Sequence, residues 1–397
     1  DSLTTRAPLG WGAYQVASWT PGEAITLVKN PNYFRAAEGL PYFDILEYKF
    51  LNGIPQADIS PVVNGGCDII DSSVDLSGQI QPLRELELDG KVKAYFGMGP
   101  EWEGLNFGIK PASYDDVYNP YTDRPDFFSD VRVRQAFAYC IDREKITRTI
   151  LYSQSDVPAS YAPPGHPLAA DGLTTYAHDP AKGIQLLEEV GWLDEDGDPS
   201  TPRLSSGVTN ILNGTEFSLN YYLTESELHE RVSRVVVDSL AECGVKVMPT
   251  YASIQELYGA GPDGRVFGRA FDLVELAWSA GRQLPCFLYA SSEIPSAANN
   301  WLGTKYGGVN FTGYANAEYD SACTAALSPG LNHTLLVENS RRTQEILAND
   351  LPVLPLFYHV TAAVSRPDLC GLTLDVTSRS ALRNIEAFTL STSCPAE

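Results

Sequence analysis

The stretch Val131-Arg-Val-Arg-Gln-Ala-Phe-Ala-Tyr-Cys-Ile-Asp-Arg-Glu-Lys-Ile146 constrains the fold more than any other part of the sequence. Its apolar residues fall on one side of a helix, as expected for an element that packs against a core. These residues are Ala136, Phe137, Cys140 and Ile141. Either Ser129 or Asp130 can cap the first turn, because both side chains can accept a hydrogen bond from a free backbone N–H. The sequence therefore predicts an amphipathic helix that begins near residue 130.

Two further helices are predicted downstream from the residues at their ends. In the segment 179–191, Asp179 can cap the helix, Pro180 suits its first position, and Gly191 suits a left-handed stop. The segment Thr224-Glu-Ser-Glu227 has the spacing of a capping box and precedes a regular apolar face. Both segments are typical of helices that alternate with strands.

Strands are predicted where apolar and polar residues alternate. Residues 24–29 and 43–50 show this alternation, with turn-forming residues around them. A last helix over about 337–348 leads into an apolar strand near 353–358. This mixture of elements, without an internal repeat, predicts an α/β fold.

Charge and hydropathy argue against two broad functions. The sequence has 50 acidic and 28 basic residues, a net charge of −22, and such a field repels nucleic acids and anionic lipids. No apolar run approaches the length of a membrane span. The most apolar stretch, 351–364, contains Pro352, Pro355 and His359, and is interpreted as a buried strand.

The seven cysteines are widely spaced and form no CxxC motif, which argues against metal-cluster and haem attachment sites. An odd number fits one to three disulfides in an exported protein together with one free buried thiol. The preferred pairs are Cys370–Cys394 and Cys286–Cys323. The alternative, in which all seven are reduced and buried, stays open, because cysteine also serves as a small core residue.

Short phrases along the whole chain follow one another in an order shared with a known family. They are Pro8-Leu-Gly-Trp-Gly-Ala-Tyr-Gln-Val, Leu27-Val-Lys-Asn-Pro-Asn-Tyr33, the helix at 131–146, Tyr176-Ala-His-Asp-Pro-Ala-Lys, Leu186-Leu-Glu-Glu-Val-Gly-Trp192, Asp194-Glu-Asp-Gly-Asp198, Phe271-Asp272 with Trp278, Asn310-Phe-Thr-Gly-Tyr-Ala-Asn316, and Pro352 to Tyr358. In this collinear series the chain resembles the family 5 solute-binding proteins, which include dipeptide-, oligopeptide- and nickel-binding proteins of ABC importers.

The resemblance implies an α/β, type II periplasmic-binding-protein-like fold with two lobes and a hinge. It places 1–106 in lobe I, 107–352 in lobe II, and 353–397 back in lobe I. It also implies that the family's N-terminal subdomain is missing from this sequence. A small ligand is expected between the lobes, which close around it because it contacts both only in the closed state.

By the same resemblance, the segment 101–107 crosses between the lobes and lines the ligand cleft. Glu101, Trp102 and Asn106 are therefore candidate ligand-binding residues, since an aromatic ring supplies contact area and an amide both donates and accepts. A core tryptophan beside an asparagine at a strand end is an equally good interpretation of Trp102 and Asn106.

Trp278 resembles a tryptophan of the family's cleft wall, and Tyr358 is a further aromatic candidate. Peptide-binding members carry an acidic residue three positions after that tryptophan, where it pairs with the peptide's α-amino group. Here the position is Gly281, which argues against a peptide with a free N-terminus as ligand. Arg282 follows it and would favour a carboxylate, phosphate or sugar hydroxyls, unless it points outward on a loop.

Motifs for metal binding and catalysis are weak. Asp194, Asp196 and Asp198 resemble the start of a calcium loop, but Ser205 stands where the EF-hand glutamate is needed. The five histidines are scattered, so neither a protein-built metal site nor a cofactor is expected. No nucleophile elbow or P-loop occurs, although an acidic hydrolase with paired carboxylates stays a third hypothesis.

The resemblance implies a non-enzymatic, substrate-binding subunit of an ABC importer. Its expected partners are a small peptide-like, sugar or opine-like ligand and an ABC permease, with no nucleic acid, and the protein is expected to be a monomer. Its expected location is extracytoplasmic, in the periplasm or as a lipoprotein on the outer face of the membrane. The alternative is a surface receptor or interaction protein that keeps the fold without transport.

Overall fold

A computed structural model describes residues 5–8, 10–50, 58–198, 201–375 and 380–394 of the chain. The chain divides into two compact units, one formed by Asp1–Met98 with Val360–Glu397 and the other by Gly99–His359. The family resemblance placed boundaries after residues 106 and 352, whereas the two compact units meet after residues 98 and 359. The positions differ because two long strands, Lys93–Phe107 and Val353–Ser365, each run through a boundary.

Strands and helices alternate along the described residues. The strands are β1 (Tyr14–Thr20), β2 (Ala24–Lys29), β3 (Ile45–Lys49), β4 (Ile69–Ile70), β5 (Lys93–Phe107), β6 (Trp192–Leu193), β7 (Leu204–Ser205), β8 (Ser218–Thr224), β9 (Lys246–Ala252), β10 (Leu273–Ser279), β11 (Val353–Ser365), β12 (Leu369–Cys370) and β13 (Thr389–Leu390). The α-helices are α1 (Ser60–Val63), α2 (Ile80–Leu88), α3 (Val131–Cys140), α4 (Arg143–Lys145), α5 (Pro180–Val190), α6 (Glu227–Glu242), α7 (Ile254–Leu257), α8 (Ala317–Leu327) and α9 (His333–Asp350). In the described part of the chain, none of these helices is both long and apolar enough to span a membrane.

The first unit contains an antiparallel sheet with the strand order β1-β2-β3. The structure places β2 and β3 where alternation predicted strands, although β3 begins two residues into the predicted segment, at Ile45. Separately, β4 pairs with the end of β11, where Ile70 lies opposite Val364. Apolar side chains from α1, α2, these strands and the residues flanking α2 form the core next to that pair. They include Val62, Ile70, Leu76, Leu83, Val92, Ala362 and Val364.

The second unit is built on a mixed sheet in which β11, β5, β10, β8 and β9 are neighbours in that order. β5 and β10 are antiparallel, whereas β10 runs parallel to β8 and β8 parallel to β9. Because α6 connects the parallel strands β8 and β9, these three elements form a βαβ unit. On β5 and β10, Trp102 lies opposite Trp278 and Leu105 opposite Glu275, which decides the side chains that share a face.

Three predicted helix ends are confirmed. Asp130 caps α3, since its carboxylate accepts a hydrogen bond from the Arg132 N–H at 2.9 Å. Asp179 caps α5, and Gly191 ends that helix with a φ of 109°, the left-handed region that glycine adopts readily. These ends were predictable because a cap is a local interaction between residues close in the chain.

Two other helix starts differ from the prediction. The capping box at 224–227 is wrong, because Ser226 caps α6 and Thr224 is the last residue of β8. Helix α9 begins at His333 rather than near residue 337, since Asn332 accepts a hydrogen bond from the Leu335 N–H and so caps an earlier turn. In both places a second good capping residue stood nearby in the sequence.

Three disulfides cross-link the chain. The two preferred pairs, Cys286–Cys323 and Cys370–Cys394, are confirmed. The third, Cys140–Cys243, joins the last residue of α3 to the residue after α6. Helix α5 packs on this disulfide at Gly183, where a Cβ atom would lie only 2.3 Å from Cys140 Sγ, so a side chain does not fit. Cys67 is the free cysteine.

Candidate functional site

The antiparallel pair β5–β10 carries most of the predicted site residues. Side chains alternate between the two faces of a strand, and directly paired residues of neighbouring strands share a face. Trp102, Asn106 and Trp278 therefore lie on one face of this pair. Glu103 and Glu275 lie on the opposite face.

Trp102 and Asn106 are fully buried within the second unit. A Cβ atom on Gly104 would lie 2.7 Å from the Trp102 ring, so the absence of a side chain there makes room for the indole. The Asn106 amide donates to the Gly104 carbonyl at 3.1 Å and accepts from the Tyr289 hydroxyl at 3.3 Å. In this conformation both residues belong to the interior, and their contact with a ligand stays a prediction.

Glu101, Trp278 and Arg282 lie towards one end of the β5–β10 pair and keep exposed surface. Trp278 is half-buried against the apolar cluster around Leu276, while its indole N–H is buried and donates to no group in the described part of the chain. Arg282 is exposed on the loop that follows the strand. Beside it, Gly281 stands in open space, since the nearest heavy atom to an added Cβ would be 3.8 Å away. Glu101 pairs with Ser279 and so lies on the face opposite to Trp278. This end of the pair, which we call the edge, offers the Trp278 donor, which is unpaired among the described residues, an acid on the other face, and a cation on the following loop.

Tyr358 lies apart from that edge, buried on β11. Its hydroxyl donates to the Ala162 carbonyl at 2.7 Å, and its backbone N–H donates to the Ser155 hydroxyl at 3.0 Å. Burial raises the pKa of the Tyr358 phenol, which keeps it a hydrogen-bond donor. Through its side chain and its backbone, Tyr358 therefore holds both ends of the 155–162 segment against β11 in this conformation.

The opposite face of β5–β10 holds a cluster that the sequence did not predict. Glu103 and Glu275 are 1% and 0% exposed, and the imidazoles of His229 from α6 and His359 from β11 point towards them. His359 Nε2 lies 2.8 Å from Glu103 Oε2. His229 Nε2 lies 3.7 Å from the same oxygen and 3.9 Å from Glu275 Oε1. We call these four residues the carboxylate–imidazole cluster.

Burial and mutual proximity shift the pKa values in this cluster in different directions. Burial raises the pKa of Glu275 well above its usual value, and the neighbouring Glu103 charge raises it further. Burial also opposes ionisation of Glu103, but the His229 and His359 imidazoles outweigh it and lower the pKa of that carboxyl. The same pairing with Glu103 raises the pKa of His229 against the effect of its burial.

The sequence carries a signal for the two acidic members of this cluster. Glu103 stands within Trp102-Glu-Gly-Leu-Asn-Phe107, and Glu275 within Leu273-Val-Glu-Leu276, two strands that are otherwise largely apolar. A carboxylate in a buried strand needs a partner, so such positions mark sites of interest. The partners His229 and His359 could not be assigned, because they come from distant parts of the chain.

The acidic loop at 194–198 forms a turn. The Asp194 carboxylate accepts from the Gly197 N–H at 2.8 Å, and the Asp196 carboxylate accepts from the Asp198 N–H at 3.0 Å. Ser205, at the position of the missing calcium ligand, donates its hydroxyl to the Leu212 carbonyl. These bonds use the carboxylates within the loop itself.

Comparison with known proteins identifies similar chains. The sequence matches the family model described as "Bacterial extracellular solute-binding proteins, family 5 Middle" over residues 1–299. It is 24% identical to the "Oligopeptide-binding protein AppA" of Bacillus subtilis, covering 90% of this chain and 58% of that protein. It is 23% identical to the "Heme-binding protein A" of Haemophilus influenzae, covering 94% and 58%. The chain thus spans 58% of the length of these two curated relatives.

Solved structures show the same fold. The "Nickel ABC transporter from Bacillus halodurans" aligns with a TM-score of 0.71 at 16% identity, covering 95% of this chain and 69% of that one. At such low identity the likeness concerns the fold alone. It confirms the predicted α/β architecture of the two-lobe binding proteins.

Proposed function

Because the chain belongs to the bacterial extracellular solute-binding proteins of family 5, we propose that it is the substrate-binding subunit of an ABC importer. In this proposal the chain captures a small solute and delivers it to a permease in the membrane, without catalysing a reaction. The first unit corresponds to lobe I and the second to lobe II. The observation that carries the proposal is the family match over residues 1–299.

The three disulfides support an extracytoplasmic location, since such bonds persist in oxidising compartments and are rare in the cytosol. In the proposal the protein works either free in the periplasm or as a lipoprotein held at the outer face of the cell membrane. The many acidic side chains, with a net charge of −22, suit a soluble protein surface in either case.

The solute contacts are proposed for the edge formed by Glu101, Trp278 and Arg282. The Trp278 ring would stack on the ligand, and its unpaired indole N–H would donate to a ligand oxygen. Arg282 would pair with a carboxylate, phosphate or hydroxyl-rich group. The proposed set also includes Trp102, Asn106 and Tyr358. In this conformation these three side chains are buried beneath the surface.

The proposed ligand is a solute other than a peptide with a free N-terminus. The amine-binding acid of the peptide-binding members would stand three residues after Trp278. In this chain that residue is Gly281, which offers no counter-charge for an ammonium group. Sugars, opine-like acids and metal chelates remain in the proposed range, because a single family scaffold can host many ligands.

A thermal-shift screen tests the proposal. The full-length protein is heated with oligosaccharides, opine-like acids, nickel chelates and peptides, one class at a time. A solute at 100 times its Kd stabilises the folded state by about 2.7 kcal/mol, so a true ligand gives a clear rise in Tm. A rise confined to one class supports the proposal and names the substrate. No rise with any class contradicts it and favours the surface-interaction alternative.

Trp278→Ala then tests the proposed edge. We expect it to weaken binding of the solute found in the screen by more than about tenfold, since a buried aromatic contact is worth more than about 1.4 kcal/mol. Trp11→Ala is the matched control, because Trp11 is 95% exposed in the first unit. Calorimetry measures both Kd values, and an unchanged Kd in Trp278→Ala removes Trp278 from the site.

Gly281→Asp tests the argument about ligand class. The backbone at Gly281 leaves open space for a side chain, so the substitution is expected to fold normally. A carboxylate there supplies the counter-charge that a peptide ammonium needs, and we expect measurable peptide binding to appear. Peptide binding by the unmodified chain of equal strength would show that Gly281 does not decide the ligand class.

A further inference from the structure

We propose that the carboxylate–imidazole cluster is a binding site for a divalent transition-metal ion of the Zn²⁺ class. Glu103, Glu275 and His229 each offer one ligand atom, and these atoms all lie within 4.8 Å of one another. His359 lies outside this group of three, but its Nε2 is 2.8 Å from Glu103 Oε2, so a rotation of the imidazole would bring in a fourth donor. All four residues belong to the second unit. The proposal does not depend on which solute the protein carries.

The first argument is charge. Two carboxylates lie side by side in the interior, and among the described residues no lysine or arginine forms an ion pair with either. Glu103 Oε1 and Glu275 Oε1 are buried without a hydrogen-bond partner in the same part of the chain. Unpaired buried carboxylate oxygens are costly, and a dication would neutralise both groups at once.

The second argument is the orientation of His229. Its Nδ1 lies 2.9 Å from both the carbonyl oxygen and the hydroxyl oxygen of Thr224. The carbonyl can only accept and the hydroxyl can also accept, so a proton on Nδ1 satisfies both contacts. In the neutral ring the lone pair then sits on Nε2, which faces the two carboxylates. A lone pair aimed at carboxylate oxygens is repulsive unless a proton or a metal cation lies between them. A histidine that donates its other N–H to a backbone carbonyl is the usual arrangement of a metal ligand.

The third argument is distance. With metal–ligand bonds of ~2.1 Å, neighbouring ligand atoms of a tetrahedral site lie ~3.4 Å apart. The two separations from His229 Nε2, 3.7 Å to Glu103 and 3.9 Å to Glu275, are within a few tenths of an ångström of that edge. Small rotations of the side chains would therefore complete the coordination.

Access and donor type narrow the identity of the ion. The His229 and His359 side chains are 13% and 25% exposed, so an ion can reach the cluster from the imidazole side. Two imidazole nitrogens with two carboxylates suit Zn²⁺ and its first-row neighbours, whereas Ca²⁺ and Mg²⁺ prefer oxygen donors throughout. Zn²⁺ is therefore the probe for the site, and Co²⁺ reports its geometry.

The experiment measures metal binding to the full chain after treatment with a chelator. We expect one equivalent of Zn²⁺ in a calorimetric titration, and a visible absorption spectrum typical of tetrahedral coordination when Co²⁺ is added. His229→Gln and Glu103→Gln are each expected to lower the Zn²⁺ affinity more than about 100-fold, since loss of an outer-shell partner alone costs 10–100-fold. His333→Gln and Glu338→Gln, at exposed positions of α9, are the matched controls.

Circular dichroism of every variant separates lost binding from lost folding, and Glu275→Gln gives a third cluster variant if another fails to fold. The proposal is overturned if the folded parent chain binds no stoichiometric Zn²⁺, or if the cluster variants bind it as the controls do. An ion that stays bound through dialysis is a resident ion, whereas an ion that exchanges rapidly is transported cargo. In either case the cluster is its binding site. The metal-site proposal and the importer proposal can fail separately. Solute binding in His229→Gln tests the importer proposal without the metal site, and Zn²⁺ binding in Trp278→Ala tests the metal site without the solute site.

Discussion

Two buried acidic sites in the second unit are built in opposite ways. Glu293 is 1% exposed, and its carboxylate accepts hydrogen bonds from three backbone N–H groups, those of Lys305 and Tyr306 at 2.8 Å and of Gly308 at 3.4 Å. Glu275 is buried to the same degree, yet one of its oxygens accepts from the Tyr221 hydroxyl and the other has no partner among the described residues. Equal burial therefore accompanies very different degrees of hydrogen-bond satisfaction.

The comparison separates a structural carboxylate from one that awaits a ligand. Glu293 organises its loop, because the donors that surround it belong to one short segment of chain and would be unpaired without it. The orphan oxygens of Glu103 and Glu275 organise nothing in the chain that the structure describes. Satisfaction of the buried charge, rather than burial itself, is what points to function.

Removing the Glu293 carboxylate is expected to give the largest effect on stability. Glu293→Ala leaves three backbone N–H groups, one of them buried, without this acceptor, and we expect the free energy of unfolding to fall by about 3 kcal/mol. Urea unfolding measures the change, with Glu338→Gln as an exposed control. A loss below about 1 kcal/mol would mean that water replaces the carboxylate. Glu293 would then not be a structural carboxylate in the sense used above.

A smaller effect is expected from crowding the same loop. Gly303 has a φ of 61°, and a Cβ atom there would lie 2.6 Å from Glu293 Oε2. Gly303→Ala should therefore lower the free energy of unfolding by about 2 kcal/mol, through a strained backbone and a displaced carboxylate. Gly307→Ala shares the positive φ but meets nothing within 4 Å, so it isolates the backbone contribution. Equal losses in the two variants would show that the carboxylate tolerates displacement.

The smallest effect, of opposite sign, is expected at the unsatisfied site. In the metal-free protein, burial and the Glu103 charge raise the pKa of Glu275 and so favour its neutral form. Glu275→Gln replaces it with a neutral group of the same size, which the Tyr221 hydroxyl can still reach. We expect the free energy of unfolding to stay the same or rise by up to about 1 kcal/mol. Urea unfolding in chelator measures it, and a loss as large as that of Glu293→Ala would make the two sites alike.

The sequence alone predicted what depends on neighbours in the chain. The caps Asp130 and Asp179 and the stop at Gly191 are local, and their residue types leave few alternatives. The misplaced start of α6 has the same origin, because Thr224 and Ser226 are both good caps two residues apart. Only the pairing of β8 in its sheet decides that Thr224 stays extended. The α/β class followed from the order of these local elements.

Features that join distant parts of the chain were not predictable from one sequence. The Cys140–Cys243 disulfide spans 103 residues, and nothing local distinguishes it from other pairings. The carboxylate–imidazole cluster depends on the register of β5 against β10 and on the helix that presents His229. The burial of Trp102 and Asn106 similarly depends on the packing of the sheet, which the resemblance to a family does not specify.

The contact between Gly183 and the Cys140–Cys243 disulfide constrains how these three positions can change in evolution. A side chain at position 183 would collide with the sulfur, so a mutation there is tolerated only after the cross-link or the helix has shifted. Conversely, a lineage that loses either cysteine gains space at position 183 and relaxes selection for glycine. The three residues should therefore be inherited as one unit, and a descendant would show either all of them or a coordinated replacement.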